Sequence, residues 1–155
     1  MSRPRLRRVT TRPTATDPFV DYAATVLRDA SPRLAVVDQP ASRFLDNHVG
    51  VRHASALFTA AYEAARGLLA AALGGFADCA SVHLVESEVE YVAVAMGAIT
   101  TTAEPAGDGW SSLADDVVGP SCVDLDVAVV ATNDKGRTVL RVTQRWHVDS
   151  GGFAF

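Results

Sequence analysis

The sequence predicts an α+β domain in which an antiparallel sheet wraps around one long central helix. Three observations predict it. Residues 55–73, SALFTAAYEAARGLLAAAL, are apolar almost all round at helical spacing, the mark of a helix buried on every side. After that segment the period of the pattern changes from 3.6 to two, in runs rich in Val, Ile, Tyr and Thr. Finally, 155 residues with 48% hydrophobic and 21% charged side chains suit one globular domain with a real core.

The elements follow in order. Residues 1–16 carry Pro and Thr without apolar periodicity and are read as a disordered Arg-rich tail, leaving 17–155 as the domain. Asp17 is expected to cap a helix with Pro18 at its first position. Phe19, Tyr22, Ala23, Val26 and Leu27 form its apolar stripe, and Ser31-Pro32 ends it. Leu34 to Val37 is a short apolar run read as the first strand, and Pro40 to Gly50 as a loop. Ser55 is expected to cap the central helix and Gly74-Gly75 to stop it. Segments 81–86 and 88–102 read as strands, and 103–121, with its Gly, Pro, Ser and Asp, as a long loop. Val123, Leu125, Val127 and Val129 alternate with Asp124, Asp126, Ala128 and Val130, a half-buried strand. The tight turn Asn133-Asp134-Lys135-Gly136 leads to a last strand. There Leu140, Val142, Trp146 and Val148 share one face, and Arg141, Thr143, Arg145 and His147 the other. A helix followed by a meander of strands gives an antiparallel sheet over a buried helix.

Charge excludes some classes of function. Net charge is −4, yet Arg3, Arg5, Arg7, Arg8 and Arg12 stand in a first dozen residues without an acid, so residues 13–155 carry −9. An acidic body is a poor nucleic-acid surface. The basic head reads as a solvated tail before a nucleic-acid arm, and Pro4 and Pro13 argue against a helical transit peptide. The run 54–73 comes nearest to a membrane span, but Glu63 and Arg66 interrupt it. Cys79 and Cys122 fit neither a metal spacing nor a disulfide framework, so no metal and no cofactor are expected. These features point to a cytoplasmic protein, and thirteen Arg against one Lys to a bacterial genome of high GC content.

No GxGxxG, GxxxxGK or GxSxG element is present. The chemistry concentrates in 46–63, DNHVGVRHASALFTAAYE. Asn47, His48, Gly50, His53 and Ser55 crowd a loop that feeds the start of the buried helix. The first N–H groups of a helix are unpaired and carry partial positive charge. A carbonyl oxygen turning into an oxyanion can be held there, and the small Ala54 and Ser55 allow close approach.

The stretch NHVGVRHASALFTAAYEAARG resembles the loop-and-helix motif of hotdog-fold thioesterases, nearest to the phenylacetate-degradation-type acyl-CoA thioesterases and their relatives. VDLDVAVVATNDKGRTVLRVTQRWHV resembles that family's final hairpin. The resemblance spans roughly 34–148 and implies the hotdog fold, hydrolysis of an acyl-CoA or acyl-carrier-protein thioester, and a homodimer or homotetramer with sites at the interface. It implies that the N–H following His53 polarises the thioester carbonyl and that Asn47 orients water or the carbonyl. A helix acid would act as nucleophile or base. That acid usually falls nine residues after the His, where this chain has Tyr62; Glu63 follows at ten. One residue on a helix is a rotation of about 100°. Glu63 therefore has two readings, catalytic acid or surface partner of Arg66. Ala54-Ser55 stands where the family has Gly-Gly.

The expected catalytic set is Asn47, His53 and Glu63, with His48, Gly50, Ala54, Ser55 and Tyr62 lining the substrate. His83 and His147 are expected to be structural. Glu86, Glu88, Glu90, Asp124 and Asp126 read as solvated strand faces. The alternative function is a catalytically silent hotdog protein binding an acyl or polyketide-like ligand. A hydratase is disfavoured, because Asp46-Asn47-His48 lacks the Asp-x-Asn-Pro-x-x-His pattern.

Overall fold

A computed structural model describes residues 18–111, 113 and 122–149. The expected tail 1–16, the cap at Asp17 and most of segment 112–121 lie outside these residues. Helix α1 (Pro18–Tyr22) precedes strands β1 (Val26–Ser31) and β2 (Leu34–Gln39). The central helix α2 (Ala54–Leu73) follows, then β3 (Ser81–Tyr91), β4 (Ile99–Ala106), β5 (Cys122–Asn133) and β6 (Thr138–Asp149). The strands form one antiparallel six-stranded sheet in the order β1-β2-β4-β5-β6-β3. This is the hotdog architecture, and α2 lies against β1, β2, β4 and β5.

Pairing overrides local propensity at the start of the chain. The expected helix stops at Tyr22; Ala24 takes a positive φ of 52°, and Val26 and Leu27 enter β1 instead of a helical stripe. Ser31 closes the β1–β2 turn, its hydroxyl oxygen accepting from the Arg33 and Leu34 N–H groups. Strand β1 supplies β2 with an outer partner and lays Leu27 over Gly67 of α2. A Cβ built on Gly67 would sit 2.7 Å from Leu27 Cδ1. The Leu34–Val37 strand is thus the second of the sheet.

The expected strand 88–102 is two strands. Its first part ends β3, which pairs with β6. Its second part begins β4, which lies between β2 and β5. The break falls at 92–98, where Gly97 has φ 77°. Richness in Val, Tyr, Ile and Thr cannot distinguish one strand from two that belong to different places in a sheet. Strand β4 also runs on to Ala106, past the expected loop boundary. Pro105 is tolerated there because β2 stops pairing at Ala103, which leaves that edge of β4 open.

The concave face holds the core. Leu125, Val127, Val129 and Ala131 of β5 and Val142, Trp146 and Val148 of β6 meet Ala60, Ala61, Ala64, Ala65, Leu68 and Leu69 of α2. The alanines bring helix and sheet close; the buried leucines contribute roughly 1.5–3 kcal/mol each relative to exposure. The convex face carries charge, as the alternation in β5 and β6 predicts. Arg145 lies between Asp126 and Glu86, and His147 Nδ1 sits 2.7 Å from Asp124. The hydrogen bond from Arg145 to Asp126 and the charges around it raise the Arg145 pKa above its ordinary value.

Candidate active site

The loop 40–53 connects β2 to α2 and contains the sequence-predicted polar cluster. A turn over 47–51 is closed by Asn47. Its N–H donates to Val51 O at 2.7 Å, and its side-chain oxygen accepts from Val49 N–H at 3.0 Å and Val51 N–H at 3.3 Å. Those two side-chain bonds fix the polarity of the Asn47 amide. Its oxygen is committed to the loop, and Nδ2 is the group it can offer to a ligand. Gly50 takes φ 77° at the turn, a conformation glycine adopts without penalty. His48 and Gly50 are exposed at the tip, and no hydrogen-bond partner for the His48 ring is found among the described residues.

Helix α2 starts at Ala54, two residues earlier than the expected Ser55 cap implies. The cap is His53, whose Nδ1 accepts from Ser55 N–H at 3.1 Å and lies 2.7 Å from Ser55 Oγ. A ring that accepts at Nδ1 carries its proton on Nε2, so the geometry assigns the neutral tautomer. His53 O also accepts the N–H groups of Ala56 and Leu57. Three of the first four helical N–H groups are therefore closed onto His53. The N–H of Ala54 alone among them has no hydrogen-bond partner among the described residues, and Ala54 is exposed.

Tyr62 and Glu63 diverge as adjacent helical residues must. Tyr62 packs on Trp146 of β6 with ring centroids 5.2 Å apart. Glu63 pairs with Arg66 at 3.4 Å, and its side chain is 21% exposed. The Arg66 guanidinium also lies 5.8 Å from the centre of the Tyr62 ring. Beyond Arg66, a groove of about 200 Å³ opens between α2 and the start of β3, lined by Leu69, Leu73, Ala77, Ala80 and Val82.

Three residues missed by sequence reasoning also shape this site. Arg52 is 3% exposed and Gln39 1%, although neither is of a type usually buried. Tyr91, at the end of β3, donates its hydroxyl to Ala54 O at 3.3 Å and so reaches the residue bearing the free N–H. The sequence did carry a signal for the first two: a lone Arg inside VGVRHAS, and a Gln ending the apolar run LAVVDQ. Among the described residues no group of three His, Cys, Asp or Glu side chains could hold a metal ion.

A free N–H at the start of a buried helix, beside a loop whose amide can donate, is equipped to stabilise negative charge on a carbonyl oxygen. Comparisons with known proteins bear on this. The family described as "Domain of unknown function (DUF4442)" matches residues 7–148. No curated protein sequence matches the chain. Several solved structures share its fold. The structural-genomics protein APC5556 is 26% identical, with a TM-score of 0.67 over 86% of this chain and 82% of its own. The Staphylococcus aureus thioesterase SAV0944, solved as a mutant, is 16% identical, with a TM-score of 0.68 over 86% of this chain and 99% of its own. The Haemophilus influenzae thioesterase HI1161 is 10% identical, with a TM-score of 0.71 over 88% of this chain and 87% of its own.

Proposed function

This chain belongs to the DUF4442 family, and from that premise and the site geometry we propose that it hydrolyses the thioester bond of an acyl-CoA or acyl-carrier-protein conjugate. The observation that carries the reading is the unpaired N–H of Ala54 at the start of α2. It is the donor that an oxyanion of a tetrahedral intermediate needs, on the helix end whose dipole favours negative charge. Asn47 Nδ2 is the second donor, its oxygen being held in the loop. Glu63 lies nine residues, about 13.5 Å, along α2 from Ala54. It therefore serves as general base for water or as nucleophile at the site of a second copy, across the dimer interface, exchanging its Arg66 partner for the reacting group when substrate binds. His53 keeps the helix start in shape through its cap.

The active form is a dimer or a dimer of dimers. Strand β3 pairs with β6 on one side only and ends the sheet, with Val85 and Tyr91 exposed. An open edge of that length is a template for a second copy. Steady-state turnover on a panel of acyl-CoA thioesters tests the function. Release of free thiol at rates well above the uncatalysed reaction supports it, and no release on any acyl chain rejects it. Sedimentation at micromolar concentration tests the assembly, and monomer alone would reject the dimer.

A further inference from the structure

We propose that Arg52 is a positioning residue that fixes the direction of the free Ala54 N–H. This rests on the thioester reading and extends it to a residue buried beneath the site. A guanidinium out of water is costly unless its donors are met. Here they are met from three separate segments. Nη1 donates to Gln39 Oε1 at 2.6 Å, Nη2 to Pro40 O at 2.9 Å and Gly97 O at 3.0 Å, and Nε to Asp46 Oδ1 at 3.4 Å. The Arg52 N–H donates in addition to Ala95 O at 2.9 Å. One planar group thus ties together the end of β2, the turn before α2 and the β3–β4 connection. Because the fork is rigid, it fixes orientation as well as distance.

The network grips the helix start from both sides. Arg52 stands two residues before Ala54. Gln39, whose oxygen is held by Arg52, donates through Nε2 to Ala56 O at 3.2 Å and to Ala23 O at 2.8 Å. Beyond Arg52 the turn tip His48–Gly50 is exposed, while the helix start is also held by the His53 N–H on Leu45 O at 2.8 Å and by the Tyr91 hydroxyl on Ala54 O at 3.3 Å. The buried clip holds the chain at residues 52 and 56, on either side of the Ala54 N–H, and with those two bonds sets its direction. An oxyanion donor works only when aimed in advance at the place where charge will develop, and a displacement of about 1 Å costs on the order of 100-fold in rate.

The test compares Arg52→Lys, which keeps the charge but loses the fork, with Gln39→Glu. The glutamate still accepts from Arg52 but can no longer donate to Ala56 O or to Ala23 O. Two measurements are made on each folded variant: kcat and KM on the best acyl-CoA substrate of the wild type, and amide hydrogen exchange without ligand. We expect kcat to fall about 10- to 100-fold with KM within about threefold. Exchange should quicken at Ser55–Leu57 while β5 and β6 keep their protection. Wild-type kcat and wild-type exchange in both variants would overturn the proposal. So would a loss of kcat that merely follows a global loss of protection, the mark of a structural role. If Arg52→Lys does not fold, Gln39→Glu decides by the same readings. If the wild type hydrolyses no thioester, the proposed function fails by itself. The exchange measurement then still decides: loosening confined to the first turn of α2 upholds the positioning role, and its absence overturns it.

Discussion

The Nδ1 atom of His53 receives both the main-chain N–H of Ser55, at 3.1 Å, and its hydroxyl, at 2.7 Å, so a histidine opens the central helix where a serine was expected. Replacing His53 by Ala removes the acceptor. Stability should fall by about 1 kcal/mol, the usual worth of a cap, and His53→Asn should restore most of it. Urea unfolding measures both. Equal stability of His53→Ala and the wild type would show that the ring contributes nothing as a cap.

Glu63→Gln should leave the melting temperature nearly unchanged, because a partly exposed pair such as Glu63–Arg66 contributes about 0–1 kcal/mol. Turnover should fall roughly 10²- to 10⁴-fold if Glu63 is the base. Tyr62→Phe keeps the ring on Trp146 and should leave turnover intact. The reverse result, with Tyr62→Phe impaired and Glu63→Gln active, would move the chemistry to the other register of the helix.

Gly67 lies under Leu27, whose Cδ1 stands 2.7 Å from where a Cβ would be. Alanine at 67 gains about 1 kcal/mol of helix propensity over glycine but displaces Leu27. The gain should therefore be larger in a Leu27→Ala background than in the wild type. Thermal unfolding of the four proteins of this cycle gives the coupling, and a value of zero would mean that β1 does not press on the helix.

Trp146 donates its indole N–H to Gln144 Oε1 at 3.1 Å, both side chains being fully buried. Trp146→Phe should cost about 1–3 kcal/mol for the orphaned acceptor, beyond the lost packing. Gln144→Met in the same molecule should recover part of that loss. Denaturant midpoints of the single and double variants check it; strict additivity would show that the bond has no net worth.

A chain beginning at Thr16 should keep the melting temperature and the activity of the full protein, because the preceding residues offer little apolar surface to repay ordering. A marked loss of either would assign the Arg-rich head a role.

Much of the fold could be read directly because each element announced itself by period. The mostly apolar run ending at Leu73 announced a core helix, although the structure buries one broad face of it and leaves Arg66 and Ala70 exposed. The alternation through Val123–Val129 and Leu140–Val148 placed two neighbouring strands and told their wet face from their dry one. The errors arose where two readings share one local pattern. Val26 and Leu27 fit a helical stripe as well as a strand. Residues 88–102 are rich in Val, Tyr, Ile and Thr as one strand would be, although Tyr91 and Ile99 lie on strands that do not touch.

Of the candidate site, the sequence by itself determined the segment: the polar loop 46–53, the small residues after it and the long buried helix they open. Residue type and period suffice for that, because both act within a few neighbours along the chain. Only the tertiary structure decided which groups are spent and which are free. That His53 closes the helix, that Asn47 has its amide nitrogen left to offer, that the Ala54 N–H is unpaired among the described residues and that Arg52 is buried all depend on partners brought from β2, the β3–β4 connection and the helix itself. Hydrogen bonds and burial couple residues far apart in sequence, and no local pattern records which of them will meet.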